Sequence, residues 1–314
     1  MDYSISRARL AGLAIFGALG SQAYAQTQPH ELARADGSSI HYYVQPAIAP
    51  QEGVHELLLI VQGSDCNSVA HKKVVWETLA KARPQAQVLA VEKYALTAAL
   101  TDSDEPERND CPTDYIQRDS PQQRVADLDA VLKQLQSQIR YEKLFAVGGS
   151  EGAVIVHLLA AQTSYLDAAV SFNGGGRWFQ DDVLYSLSME EMPAADKKAM
   201  LEGVGDFLKQ AKAGLDTEMS GHGRDWWQQM LNLDQAEVLR QIVIPTLVIQ
   251  SGRDTSVSPQ ATAQMVAQVD NPHVVWRTYP DLDHVMTQAD GSSAMPQVVG
   301  DIAQWLSQLK TETP

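Results

Sequence analysis

The stretch "ELLLIVQG" (56–63) is apolar without interruption from Leu57 to Val61 and ends in glycine. A strand with one wet face alternates apolar and polar residues. An unbroken run is what a strand buried on both faces requires, as in a parallel sheet covered by helices on either side. The pattern returns in "AQVLAVEKY" (86–94), "KLFAVGG" (143–149), "LDAAVSFNGGG" (166–176) and "IPTLVIQSGRD" (244–254), with a further strand at "HVVWRTYP" (273–280). Helical periodicities fall between these runs. One covers 71–83, with Val74, Val75, Leu79 and Ala82 on one side. Others run from Ser120-Pro121 to about Arg140, over 151–162, over 259–269 and over 296–309. Proline at a first turn is compatible with a helix start. Ahead of them, extended runs between Leu32 and Val44 flank Asp36-Gly37, a hairpin-turn signal. Strands alternating with helices predict an α/β class and a mostly parallel central sheet with helices on both faces.

The alternation breaks at 177–240, which reads as helical and polar. An insertion of this kind between strands is expected to form a cap over the C-terminal ends of the sheet, where open α/β sheets bind ligands. The core then comprises 26–176 and 241–314. Residues 97–120 are acidic and turn-rich and read as a long loop. Residues 1–25 are set apart. Arg7 and Arg9 precede an apolar stretch, Leu10 to Leu19, followed by Ala23-Tyr24-Ala25. That is the form of a signal peptide cut after Ala25, and the apolar run is too short for a membrane anchor. The expected location is the periplasm or the medium, with no membrane span once the signal is removed.

In such a compartment the two cysteines, Cys66 and Cys111, predict a disulfide. Closing that loop contributes roughly 4 kcal/mol in the chain-entropy model; two unpaired thiols are the alternative. A formal net charge of −15 leaves no basic excess for a polyanion, which argues against nucleic acid as a partner. No C-x-x-C, H-E-x-x-H or close histidine pair suggests a metal.

Gly148-Gly149-Ser150-Glu151-Gly152 lies between the strand at 143–149 and the helix at 151–162. A G-x-S-x-G in this context is a nucleophile elbow: the serine is held on a tight turn, and the helix that follows aims its N-terminal amides at the same spot. A serine hydroxyl needs a base, and the base needs an orienting acid. Asp254 lies just past one strand, in "SGRD", and His284 just past the last, in "DLDH". Both fall on the sheet edge that carries Ser150, in the chain order serine, acid, histidine.

On "GGSEG", "QSGRD" and "DLDH" the chain resembles serine hydrolases of the α/β-hydrolase fold, over nearly the whole length after residue 25. The resemblance implies a Ser150–His284–Asp254 triad that needs no cofactor. It also implies an oxyanion hole formed by the backbone N–H of Glu151 and a second N–H in "IVQGSDCNS", from Ser64 or the neighbouring Gly63. Many members carry His-Gly where this chain has Gln62-Gly63. The implied activity is cleavage of an acyl bond in a small-molecule ester, or alternatively in a short peptide; a non-catalytic binding protein on the same fold is the third alternative.

Other readings stand beside these. Asp281 and Asp283 flank His284 and are rivals to Asp254. His157 suits packing or surface, and His222 a flexible cap loop. The Glu151 side chain is accounted for by the helix dipole, or else by a cationic group on the substrate. Adjacent Trp226 and Trp227 cannot face one direction on a helix, so one is expected to pack the cap and the other to line the pocket. Gly174 to Gly176 are expected to leave room for substrate.

Overall fold

The computed structural model describes residues 27–105, 108–139 and 141–309. The predicted signal peptide lies outside them. Eight strands form one sheet: β1 (Gln28–Ala33), β2 (Ser39–Gln45), β3 (Glu56–Val61), β4 (Gln87–Val91), β5 (Lys143–Gly149), β6 (Ala168–Phe172), β7 (Thr246–Ser251) and β8 (Val274–Tyr279). The spatial order is β1-β2-β4-β3-β5-β6-β7-β8. β2 pairs antiparallel with β1 and with β4. Every pairing from β4 across to β8 is parallel.

The helices are α1 (Thr113–Arg118), α2 (Pro121–Gln138), α3 (Glu151–Gln162), α4 (Phe179–Met189), α5 (Ala194–Lys212), α6 (Arg224–Asn232), α7 (Gln235–Gln241), α8 (Pro259–Val269) and α9 (Met295–Gln308). Among the described residues no helix is long and apolar enough to cross a membrane.

The unbroken apolar run of β3 is explained by its two faces. Leu57, Leu59 and Val61 enter a core shared with α2, α3, α7 and α8. Leu58 and Ile60 enter a second core with Trp76, Leu79 and residues of α9 such as Val298, Ile302 and Trp305. Side chains alternate across a strand, so both subsets must be apolar when both faces are covered. β8, at the sheet edge, is only partly buried, and its sequence is correspondingly more polar. α2 begins as its sequence predicts: the Ser120 hydroxyl accepts from the Gln123 N–H at 3.2 Å, with Pro121 in the first turn.

Two local expectations change. The helix expected over 71–83 is broken into a 3-10 turn (Val69–His71), a π turn (Val74–Thr78) and a second 3-10 turn (Leu79–Ala82). A π turn widens the helix and rotates its face. Val74 therefore stands exposed while Val75, Trp76, Leu79, Ala80 and Ala82 are buried. The loop expected over 97–120 contains α1, held by Tyr115, which is 1% exposed. Between β6 and β7 lie α4 to α7. α6 packs on α1, α2, α4 and α5, whereas α7 packs on α3 and α8.

His157, on α3, is buried, with its Nε2 2.7 Å from the Ser171 hydroxyl. Burial pushes its imidazole down to about 4, from 6.5. The unfolded chain then binds a proton below 6.5 that the folded chain refuses until about 4, so stability present above pH 6.5 is lost as pH falls through that window. Denaturant titrations should find the protein about 2 kcal/mol less stable at pH 4.5 than at 7 on this account alone. His157→Gln should remove that part of the pH dependence.

Candidate active site

Ser150 joins β5 to α3 with φ 54° and ψ −128°. Such a backbone costs an L residue about 1–3 kcal/mol and persists only where its surroundings enforce it. Here they do. The Ser150 N–H donates to the Phe172 carbonyl at 2.9 Å. An added Cβ on Gly148 would collide with the carbonyl of Gly152, and one on Gly152 with the carbonyl of Val61. Residues without side chains thus let β5, α3 and the end of β3 meet at Ser150.

Asp254 follows β7 and is 1% exposed. Its Oδ1 accepts from the N–H groups of Ser256 (2.8 Å) and Val257 (3.0 Å). Its Oδ2 accepts from the Gln250 amide at 3.2 Å and lies 2.8 Å from His284 Nδ1. A carboxylate fixed at both oxygens sets the ring's orientation and favours a proton on Nδ1. The rival Asp283 is engaged in its own turn, where its Oδ1 accepts from the N–H groups of Val285 (3.0 Å) and Thr287 (2.8 Å).

A residue that sequence reasoning passed over holds the His284 loop. Asn173, at the end of β6, is fully buried with φ 53°. Its amide donates to the His284 carbonyl (2.8 Å) and the Ser251 hydroxyl (3.1 Å), and its Oδ1 accepts from the Ser251 N–H (2.8 Å). Asparagine tolerates the left-handed region, so an Asn before a glycine run at a strand end was the available signal.

The Glu151 side chain meets a protein cation. It is 4% exposed, and its Oε1 accepts from Arg124 Nη1 at 2.8 Å. Burial would raise this carboxyl; the Arg124 and Lys93 charges outweigh it and hold it low. Burial lowers the neighbouring Lys93 ammonium and raises Asp119 to about 7. His222 is no flexible cap loop: it is buried, stacked on Trp226 at 3.8 Å and tilted against Tyr115 at 6.1 Å. Burial pushes its imidazole down to about 4. Trp226 and Trp227 are both buried, because Phe179 of α4 reaches both rings (5.4 and 5.8 Å) while Phe207 of α5 meets Trp227 from another side (5.0 Å).

Ser150, His284, Gly63 and Ser64 line one cavity of about 520 Å³, walled by Val74, Val75, Leu79, Phe172, Val285 and Met295. A second cavity of about 510 Å³ shares Ser64, Asp65 and Lys72 with the first and is lined further by Asp104, Glu105, Tyr115 and Trp226. Cys66 and Cys111 form a disulfide beside it, joining the segment after β3 to the loop before α1. Gly174 and Gly176 leave room for the protein itself. An added Cβ would press on Ala153 and Ala261 respectively. Among the described residues no group of three or more His, Cys, Asp or Glu is placed to hold a metal ion.

The family model for serine aminopeptidase, S33, matches residues 113–289. No curated protein matches the sequence. Similar solved structures include Est1E from Butyrivibrio proteoclasticus, with a TM-score of 0.56 and 13% identity over 90% of this chain and 98% of that one. An esterase of Pyrococcus furiosus gives 0.58 and 16% over 90% and 91%. A puromycin-hydrolyzing peptidase of Mycobacterium tuberculosis gives 0.61 and 18% over 95% of this chain and 41% of that one. At these identities the likeness speaks for the fold.

Asn173→Ala should cost about 3 kcal/mol in denaturant titrations, since it strands buried polar groups of Ser251 and His284 and leaves an alanine at positive φ. Asn173→Gly, free of the backbone penalty, should recover about 1 kcal/mol of that loss.

Proposed function

We propose that this chain, which belongs to the S33 serine aminopeptidase family of α/β hydrolases, is a serine hydrolase that cleaves carboxylic esters of small molecules with apolar acyl groups, outside the cytoplasm. Ser150 Oγ attacks the acyl carbonyl while His284 Nε2 takes its proton. Asp254 holds the His284 Nδ1–H and stabilises the imidazolium that forms. The N–H groups of Glu151 and of Ser64, with Gly63 beside it, receive the charge that develops on the carbonyl oxygen. His284 returns the proton to the departing alcohol. Water then adds to the acyl-enzyme by the same route and releases the acid.

The observation that carries the ester reading is the wall of the cavity at Ser150. It is largely aliphatic, and among its described lining residues the one carboxylate, Asp65, is paired with Lys72 at 2.8 Å. Glu151, next in sequence to Ser150, is spent on Arg124. A substrate amine thus finds no free carboxylate in that cavity, while an aliphatic acyl chain finds Val74, Val75, Leu79, Val285 and Met295. Location outside the cytoplasm is supported by the Cys66–Cys111 disulfide and by the form of residues 1–25. Two observations favour a peptidase instead: the matching family model is described as serine aminopeptidase, and Asp104 and Glu105 line the second cavity beside Tyr115 and Trp226, a lining suited to a cationic end.

A fluorophosphonate probe should label the protein but not Ser150→Ala, and Asp254→Asn should lower kcat by about 10⁴-fold. Among nitrophenyl esters, kcat/KM should rise about four-fold per added methylene until the cavity is full, following roughly 0.8 kcal/mol per buried CH₂. Faster turnover of aminoacyl nitroanilides than of any ester would transfer the assignment to the peptidase reading.

A further inference from the structure

The segments that supply the proposed oxyanion donors come from distant parts of the chain: Gly63 and Ser64 follow β3, and Glu151 opens α3. One side chain joins them. Arg124 stands on α2, 5% exposed. Its Nη1 donates to Glu151 Oε1 at 2.8 Å, and its Nη2 donates to the Gln62 carbonyl at 2.6 Å. A planar guanidinium holds its two donors in a fixed relation, so the two acceptors are held at one separation. We propose that Arg124 is a positioning residue for catalysis, a rigid bracket that sets the oxyanion loop against the first turn of α3. The proposal rests on the hydrolase reading of Ser150.

Neighbouring contacts show that the loop is held from behind at more than one point. The Ser64 carbonyl accepts from the Tyr115 hydroxyl at 3.3 Å. The Asp65 carbonyl accepts from the buried Lys93 ammonium. The carbonyls of Gln62, Ser64 and Asp65 are thus each tied to a buried side chain. Of these three side chains, Arg124 is the one hydrogen-bonded to Glu151 as well. A Lys at 124 would keep the positive charge beside Glu151 but present a point charge in place of the fork. The bracket is therefore a matter of shape as well as charge.

Shape dictates the test. Arg124→Lys, Arg124→Ala and the double variant Arg124→Met/Glu151→Gln would be assayed with a nitrophenyl ester. Competent sites would be counted by fluorophosphonate labelling, so that unfolded protein drops out of kcat. The double variant removes one charge of each sign and keeps the Glu151 backbone donor, so it guards against simple misfolding. Arg124→Lys and the double variant should each lose about 10²-fold in kcat per labelled site, as when an oxyanion donor is lost, with KM changed by less than about three-fold. Millimolar guanidinium should restore part of kcat in Arg124→Ala, and methylammonium at the same concentration should not. Full kcat per labelled site in Arg124→Lys, or equal rescue by the two cations, would overturn the bracket and leave the hydrolase standing. Turnover that survives Ser150→Ala would remove the hydrolase reading and the bracket with it.

Discussion

Everything at the site hangs on how closely three backbones approach at one point. The turn at Ser150 holds a non-glycine residue at φ 54°, and only tight packing keeps it there. The packing is backbone against backbone: Gly148 against Gly152, and Gly152 against the end of β3. Because β3 is the strand beside β5 in the sheet, its end delivers Gly63 to the same place. An added Cβ on Gly63 would stand 3.6 Å from the Ser150 Cβ. The parallel register places the ends of β6 and β7 on that edge too, and these bring Asn173 and Asp254.

Beneath this contact lies a buried set of charges. Arg124, Glu151, Lys93 and Asp119 are all under 10% exposed, in a chain whose formal net charge is −15. Buried charges are tolerated when paired and hydrogen-bonded and are costly otherwise. Here two cations face two carboxyl groups. The cationic hydrogens are directed into backbone carbonyls of the segment after β3 as well as into Glu151. The network therefore ties the segment after β3 to the first turn of α3.

The strands could be read from the sequence because a sheet covered on both faces demands unbroken apolar runs, here short and bounded by turn residues. Ser150 and Asp254 could be singled out because each follows such a run, and His284 because it follows the last strand, the more polar β8; all three therefore fall on one edge. The rest was hidden for a common reason. The partner of Glu151 lies 27 residues away on another helix, and Asn173 reaches residues 78 and 111 positions away. Pairings of that range leave no trace in local periodicity. The break in the helix near Val74 was equally silent, since residues 71–83 carry a helical pattern whose rotation is decided by what Trp76 packs against. The burial of His222 was hidden because it depends on Trp226 of α6 and on Tyr115 of the distant α1.

The Arg124–Glu151 pair also limits how this chain can drift. Either residue replaced alone by a neutral one leaves its partner's charge buried and unpaired, and the intermediate sequence loses stability before any change of function is tried. The two positions can be exchanged readily only together, or after one has been relieved by a change at Lys93 or Asp119. The residue after Ser150 is thus bound by inheritance to Arg124 on α2. A change of specificity meets less resistance from the aliphatic wall formed by Val74, Val285 and Met295, where one side chain can be traded for another without stranding anything.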